Sequence, residues 1–83
     1  MPEIEIGRVS DFFAKPVVAG VDLKGTLKVG DVIRIKGNTS DMELTVTSMQ
    51  IERTNVTEAK AGDSVGIKVS ERVRRGDIVY KVI

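Results

Sequence analysis

No cysteine, histidine or tryptophan occurs in these 83 residues, and the aromatic side chains amount to Phe12, Phe13 and Tyr80. Without cysteine, no disulfide framework supplements the core, and nothing marks a secreted mini-protein. Without histidine or cysteine, the Ser-His-Asp and Cys-His nucleophile systems are excluded, as are the usual zinc sites. No Asp/Glu cluster has calcium-loop spacing, so neither a metal nor a cofactor is expected. No apolar run approaches the ~20 residues of a membrane span, and the acidic start Met1-Pro-Glu-Ile-Glu5 is unlike a signal peptide. The expectation is a cytoplasmic monomer with no membrane contact. Residues 1–83 form one domain, of a size that buries only about 60–65% of its unfolded surface.

What the chain has instead is a repeated grammar. Leu27-Lys-Val-Gly-Asp-Val-Ile-Arg-Ile35, Lys60-Ala-Gly-Asp-Ser-Val-Gly-Ile-Lys-Val69 and Arg75-Gly-Asp-Ile-Val-Tyr-Lys-Val82 each run from a Gly-Asp turn into alternating, β-branched residues. Glycine takes positive φ cheaply and aspartate hydrogen-bonds nearby backbone, while a period of two is that of a half-buried strand. The units are unevenly spaced and make no strict internal repeat.

Six strands are expected. Glu3–Val9 is the first, slipping phase at Gly7, and the second carries Val17, Ala19, Val21 and Leu23 on one face. Val32–Lys36 is the third. Met42–Glu52 is the fourth, with a bulge-like phase change near Ser48. Val65, Ile67 and Val69 mark the fifth, and Ile78, Tyr80 and Val82 the sixth. Gly37–Asp41 is turn-rich, and Thr57–Ala61 is too short to stand as a helix. Short strands with frequent turns predict an all-β, closed, antiparallel six-stranded barrel, since closure removes unpaired edges.

Few motifs carry chemistry. Gly20-x-x-x-x-Gly25 has phosphate-loop glycine spacing, but Thr26-Leu27 stand where Lys and Ser or Thr belong. Asn38 and Asn55 fit the glycosylation pattern and read as turn residues. The net charge of +1 divides into −2 over residues 1–59 and +3 over residues 60–83. The basic third, with Arg72, Arg74 and Arg75, could meet phosphates or be a solvated loop. A binding module is expected rather than an enzyme.

Val29-Gly-Asp31, Ser48-Met-Gln-Ile51, Glu58-Ala-Lys-Ala-Gly-Asp-Ser-Val-Gly66 and Val73-Arg-Arg-Gly-Asp77 stand in the order seen in the second domain of translational GTPases. The chain thus resembles the six-stranded barrel of elongation factor Tu, elongation factor one alpha and initiation factor two. Gly7–Val21 resembles small "translation elongation factor-like" proteins, and similar barrels end some U32 peptidase-like proteins. The resemblance covers the barrel but neither the GTPase nor the third domain, so it implies binding without GTP hydrolysis. In elongation factor Tu this domain holds the aminoacylated 3′ end of tRNA. Gln50 matches a glutamate that contacts the terminal adenosine, Ser64 and Val65 match the flanking Asn-Val, and Lys60 matches a basic position. The departures, Gln for Glu and Ser for Asn, remove a charge and shorten a side chain.

Two readings follow. In the first, Gln50, Lys60, Ser64, Arg72, Arg74 and Arg75 bind a tRNA 3′ end or other RNA. In the second, an apolar patch at Phe12 and Phe13 docks on a protein: a translational GTPase, a ribosomal component or a U32 peptidase-like enzyme. Against both stands the plain alternative. Gln50 and Ser64 are then polar groups on a solvated strand face, the two phenylalanines are packing, and Val65 is core.

Overall fold

The computed structural model describes residues 2–14, 17–38 and 41–83, and all regular structure among them is β. The strands are β1 (Glu3–Phe13), β2 (Val18–Leu23), β3 (Leu27–Lys28), β4 (Val32–Lys36), β5 (Asp41–Thr45), β6 (Met49–Ile51), β7 (Thr54–Val56), β8 (Glu58–Ala59), β9 (Ser64–Lys68) and β10 (Ile78–Val82). Eight form one antiparallel sheet in the order β5-β4-β10-β1-β2-β9-β6-β7, and β3 pairs with β8 in a small second sheet. Lys15-Pro16 of the Gly7–Val21 segment and Thr39-Ser40 of the turn-rich Gly37–Asp41 segment lie outside the described residues.

The expected all-β antiparallel architecture is present, but six strands closed in a ring are not what the pairing gives. The order is linear among the described residues, with β5 and β7 at its ends. The predicted strand Met42–Glu52 divides because Val46 leaves the ladder to bond the turn at Asp31, which sets β5 apart from β6. Thr57–Ala61 supplies β8 rather than any helical turn. In β10 the buried side chain is Val79, opposite buried Ile35, whereas Ile78, Tyr80 and Val82 lie half-buried on the other face.

The sheet bends where the sequence slips phase. β1 pairs with β10 through its first half and with β2 through its second, and its register shifts between Glu5 and Gly7 and again between Val9 and Asp11. Such bulges kink and twist a strand, wrapping the sheet around one core. That core takes Ile6 and Val9 from β1, Ala19, Val21 and Leu23 from β2, Ile33 and Ile35 from β4, and Val65 and Ile67 from β9. Leu27 and Ala59, opposite each other across the small sheet, are also fully buried.

The three Gly-Asp units fold alike. In each, the Asp carboxylate accepts from the backbone N–H three residues earlier: Asp31 from Lys28 at 2.9 Å, Asp63 from Lys60 at 2.9 Å, Asp77 from Arg74 at 3.0 Å. Each Asp N–H donates back to the same residue's carbonyl, at 3.0, 3.0 and 3.1 Å. The glycines Gly30, Gly62 and Gly76 take φ of 98°, 94° and 96°, as a type II turn requires at its third residue. Each turn then docks through two more backbone bonds onto one buried residue. Gly30 N–H donates to Val46 O and Val46 N–H to Asp31 O; the same pair joins the second turn to Leu23 and the third to Val9.

Asp77 is the one buried member, with Gly37 against its carboxylate, where a Cβ would lie 1.9 Å from Oδ1. Removing the acceptor strands the Arg74 N–H, at about 1–3 kcal/mol for a buried donor and less in water. Urea unfolding of Asp77→Ala should therefore show a larger loss than Asp31→Ala or Asp63→Ala. Asp77→Asn should recover part of it, and Gly37→Ala should cost a comparable ~1–3 kcal/mol by overpacking. Equal losses at all three aspartates would contradict this ranking.

The β6–β7 hairpin turns on Glu52 (φ 50°) and Arg53 (φ 66°), between the paired Ile51 and Thr54. Positive φ at both central residues is the type I′ geometry that favours Asn-Gly, and side chains there store roughly 1–3 kcal/mol of strain each. The double variant Glu52→Asn/Arg53→Gly should raise the thermal midpoint by several degrees in scanning calorimetry. A lowered midpoint would show that Glu52 or Arg53 makes stabilising contacts larger than the strain.

Candidate functional site

An open groove of about 660 Å³ crosses the outer face of β1, β2, β9 and β6. Its floor follows from strand alternation. Ala19 and Val21 point inward, as do Val65 and Ile67, so Gly20 and Gly66 face outward, and the register sets them opposite each other. The cross-strand row reads Asp11, Gly20, Gly66, Gln50, Asn55: two bare backbones between polar walls. A Cβ on Gly66 would crowd Val18 Cγ1 at 3.2 Å, and one on Gly20 would rest on Asp11 Cβ at 3.4 Å. A glycine inside a strand commonly marks such a close approach.

Phe13 and Val18 lie at one end of the groove and Ser64 at the other. Gln50 is exposed, as expected for its phase, and its Nε2 donates to Asn55 Oδ1 at 3.1 Å, leaving the amide oxygen to accept from a ligand. Ser64 is exposed too, its Oγ donating to Asp22 Oδ1 at 2.7 Å. Val65 is core, 2% exposed. Asp11 and Glu52 oppose the single cation Arg53 among the lining residues, so the groove leans acidic.

The sequence-predicted residues are therefore only partly brought together. Gln50 and Ser64 share the groove. Lys60 does not line it; it stands exposed in the second Gly-Asp turn. Arg72, Arg74 and Arg75 line a separate cleft of about 450 Å³ with Asp11 and Phe12, so Asp11 stands between the two depressions. The adjacent phenylalanines divide as an aromatic pair in a strand must. Phe12 packs against the core with the Arg72 guanidinium 5.9 Å from its ring centroid, whereas Phe13 is 52% exposed in the groove. Of the two rings, Phe13 is thus the exposed one and Phe12 the packed one. Sequence reasoning missed Asp11, the paired glycines and the Glu52-Arg53 turn; glycines within strand patterns were the available signal.

Elsewhere the outer face is tied by surface ion pairs, some of them half-buried. Arg34 is bonded to Asp41 at 2.9 Å and Lys36 to Glu3 at 2.9 Å. Hydrogen bonding to Lys36 holds Glu3 below its ordinary value, and the Arg34 bond does the same for Asp41. Among the described residues no three His, Cys, Asp or Glu side chains converge as a metal site, and no helix is long and apolar enough to cross a membrane.

Comparison with known proteins separates fold from relatives. A protein of Methanocaldococcus jannaschii described as an uncharacterized protease is 48% identical over 79 residues, covering 94% of this chain but only 19% of its own length. Among solved structures, the C-terminal domain of a U32 peptidase-like protein from Geobacillus thermoleovorans superposes with a TM-score of 0.89 at 16% identity, covering 96% of this chain and 93% of that one. Its selenomethionine variant gives 0.86 at 15% identity, covering 90% and 95%. At that identity the likeness speaks for the fold alone, and neither protein is described as a translation factor. The family model for elongation factor Tu domain 2 matches residues 17–80, from the start of the second predicted strand into β10, and the chain belongs to that family.

Proposed function

We propose that this domain is a non-catalytic docking module that serves a U32-like protein, binding through the groove beside Phe13. One observation carries the reading: nearly the whole chain matches, at 48% identity, a segment making up 19% of a protein described as a protease. A module recurring as a small part of a larger protein supplies surface rather than chemistry. The U32 domain of the same fold points the same way. Phe13, half-exposed above a floor of bare backbone, is an apolar anchor next to main-chain groups, the combination on which interface energy concentrates. The module acts as a monomer that pairs with the larger protein.

The test is calorimetric titration of the domain against the remaining portion of a U32-like protein from the same organism. Binding is expected, weakened tenfold or more by Phe13→Ala, with unchanged thermal stability. Absence of binding, or binding indifferent to Phe13, would overturn the proposal.

RNA binding is the second reading, favoured by the placement of Gln50 and Ser64 in one groove. Against it, the groove walls lean acidic and Lys60 lies away from them. An aminoacylated acceptor-stem mimic decides the matter. Salt-sensitive amide shifts at Gln50, Ser64 and Val65, weaker with the deacylated control, would establish the RNA reading; a silent spectrum would end it.

A further inference from the structure

The geometry points to a second binding site, a cleft for an acidic peptide segment built on the third Gly-Asp turn; it extends the docking reading by naming the chemistry of one contact. The three turns share a backbone but differ at their corners. The second residue is Val29 in the first, Ala61 in the second and Arg75 in the third. Only the third therefore projects a guanidinium from its corner, with Arg74 before it and Arg72 two residues earlier.

The loop is anchored as the other two are, and its aspartate is the buried one of the three. Val73 is 1% exposed, the Arg74 N–H is bonded to buried Asp77, and Gly76 and Asp77 are bonded to Val9. Three long cations thus stand on an anchored loop, so less entropy is lost when they are engaged. Arg72 is steadied further over the Phe12 ring.

Their charge is largely uncompensated. Among the described residues neither Arg72 nor Arg74 has an ion-pair partner, and Arg75 meets Asp11 only at 3.7 Å with 77% of its side chain exposed. Such a pair is worth little in water. Asp11 is the one acidic residue lining the cleft, and its Oδ1 is already engaged by the Phe12 N–H at 2.8 Å. Asp77 is committed to its turn, and Glu71 lies outside the lining residues. Arg74 and Arg75 also border a neighbouring depression with Lys36, whose own charge is met by Glu3.

Guanidinium forks pair bidentately with carboxylates and with phosphates, so the ligand is anionic. The observations favour carboxylates on a peptide over an RNA backbone. The positive surface is short and adjoins the acidic groove, which would repel a continuing line of phosphates. Phe12, the aromatic ring in the cleft, is partly buried against the core with the Arg72 guanidinium 5.9 Å from its centroid, which leaves less of the ring for a base to stack on.

The experiment titrates isotope-labelled protein with three probes at low and moderate salt: a capped peptide of alternating Glu and Asp, a uridine oligonucleotide of equal charge, and inorganic phosphate. The peptide should shift the amides of Arg72 to Gly76 and of Asp11. Its affinity should fall roughly tenfold in Arg74→Gln/Arg75→Gln, rise in Asp11→Asn and stay unchanged in Phe13→Ala. The glutamine variants keep the turn, because Arg74 serves it through its backbone. A loop that stays silent, or an oligonucleotide or phosphate bound more tightly than the peptide, would overturn the inference. The two proposals fail separately. Peptide binding without binding to the U32-like portion upholds the cleft and removes the docking reading. Binding to that portion unaffected by the arginine changes, with a silent loop, removes the cleft alone.

Discussion

The structure depends on one local device used three times: an aspartate that closes a turn on its own backbone, in a turn that is then clamped to a buried residue elsewhere in the chain. A carboxylate accepting an N–H while its own N–H returns to the same residue satisfies polar groups that a tight turn would otherwise leave open. The glycine N–H and aspartate carbonyl, facing the other way, bond a buried residue distant in sequence: Val46, Leu23 or Val9. Each unit therefore sets where a strand begins and what that strand lies against. Leu27 to Ile33, Ala59 to Val65 and Val73 to Val79 each open and close on a buried side chain, so the clamp also sets the phase with which β4, β9 and β10 enter the core. In a chain without disulfides, this is how a small sheet gains a unique register.

Much of this was legible in the sequence because it is local. Gly-Asp announced the turns, and alternation placed Val32–Lys36 and the inward faces of β2 and β9. The slip at Gly7 marked a bulge that lets β1 serve two neighbours. What escaped is what local pattern does not encode. β3 and β8 are two residues long, and a two-residue ladder has no period. β10 carries apolar residues on both faces, with Lys81 on the face of Val79, so alternation pointed to Ile78, Tyr80 and Val82 instead. The uneven spacing of the Gly-Asp units hid the fact that their hydrogen bonds are the same.

The candidate site divides along the same line. That Gln50 points outward and Val65 inward followed from phase alone. Lys60 was placed with them by the family resemblance, yet its N–H belongs to a turn clasp and its side chain does not line the groove. Direction, not proximity in sequence, decides membership of a site. The floor was illegible for the opposite reason: Gly20 and Gly66 are far apart in sequence and meet only through the β2–β9 register. Their meaning lies in side chains they lack.

The surface that results carries two distinct features side by side, each a contact in the proposed docking. Asp11 is the hinge of that division. It walls the acidic, Phe13-bearing groove on one side and trims the arginine cleft on the other. An apolar anchor and a charged contact carried side by side on a rigid sheet give complementary information. In a docking module the first kind of contact adds affinity through desolvation, and the second adds orientation and rejects partners of the wrong sign. A partner engaging both must present an apolar group and an acidic segment at the spacing the β1 bulges impose. The bends that wrap the sheet around its core thereby also set the spacing between the groove and the arginine cleft.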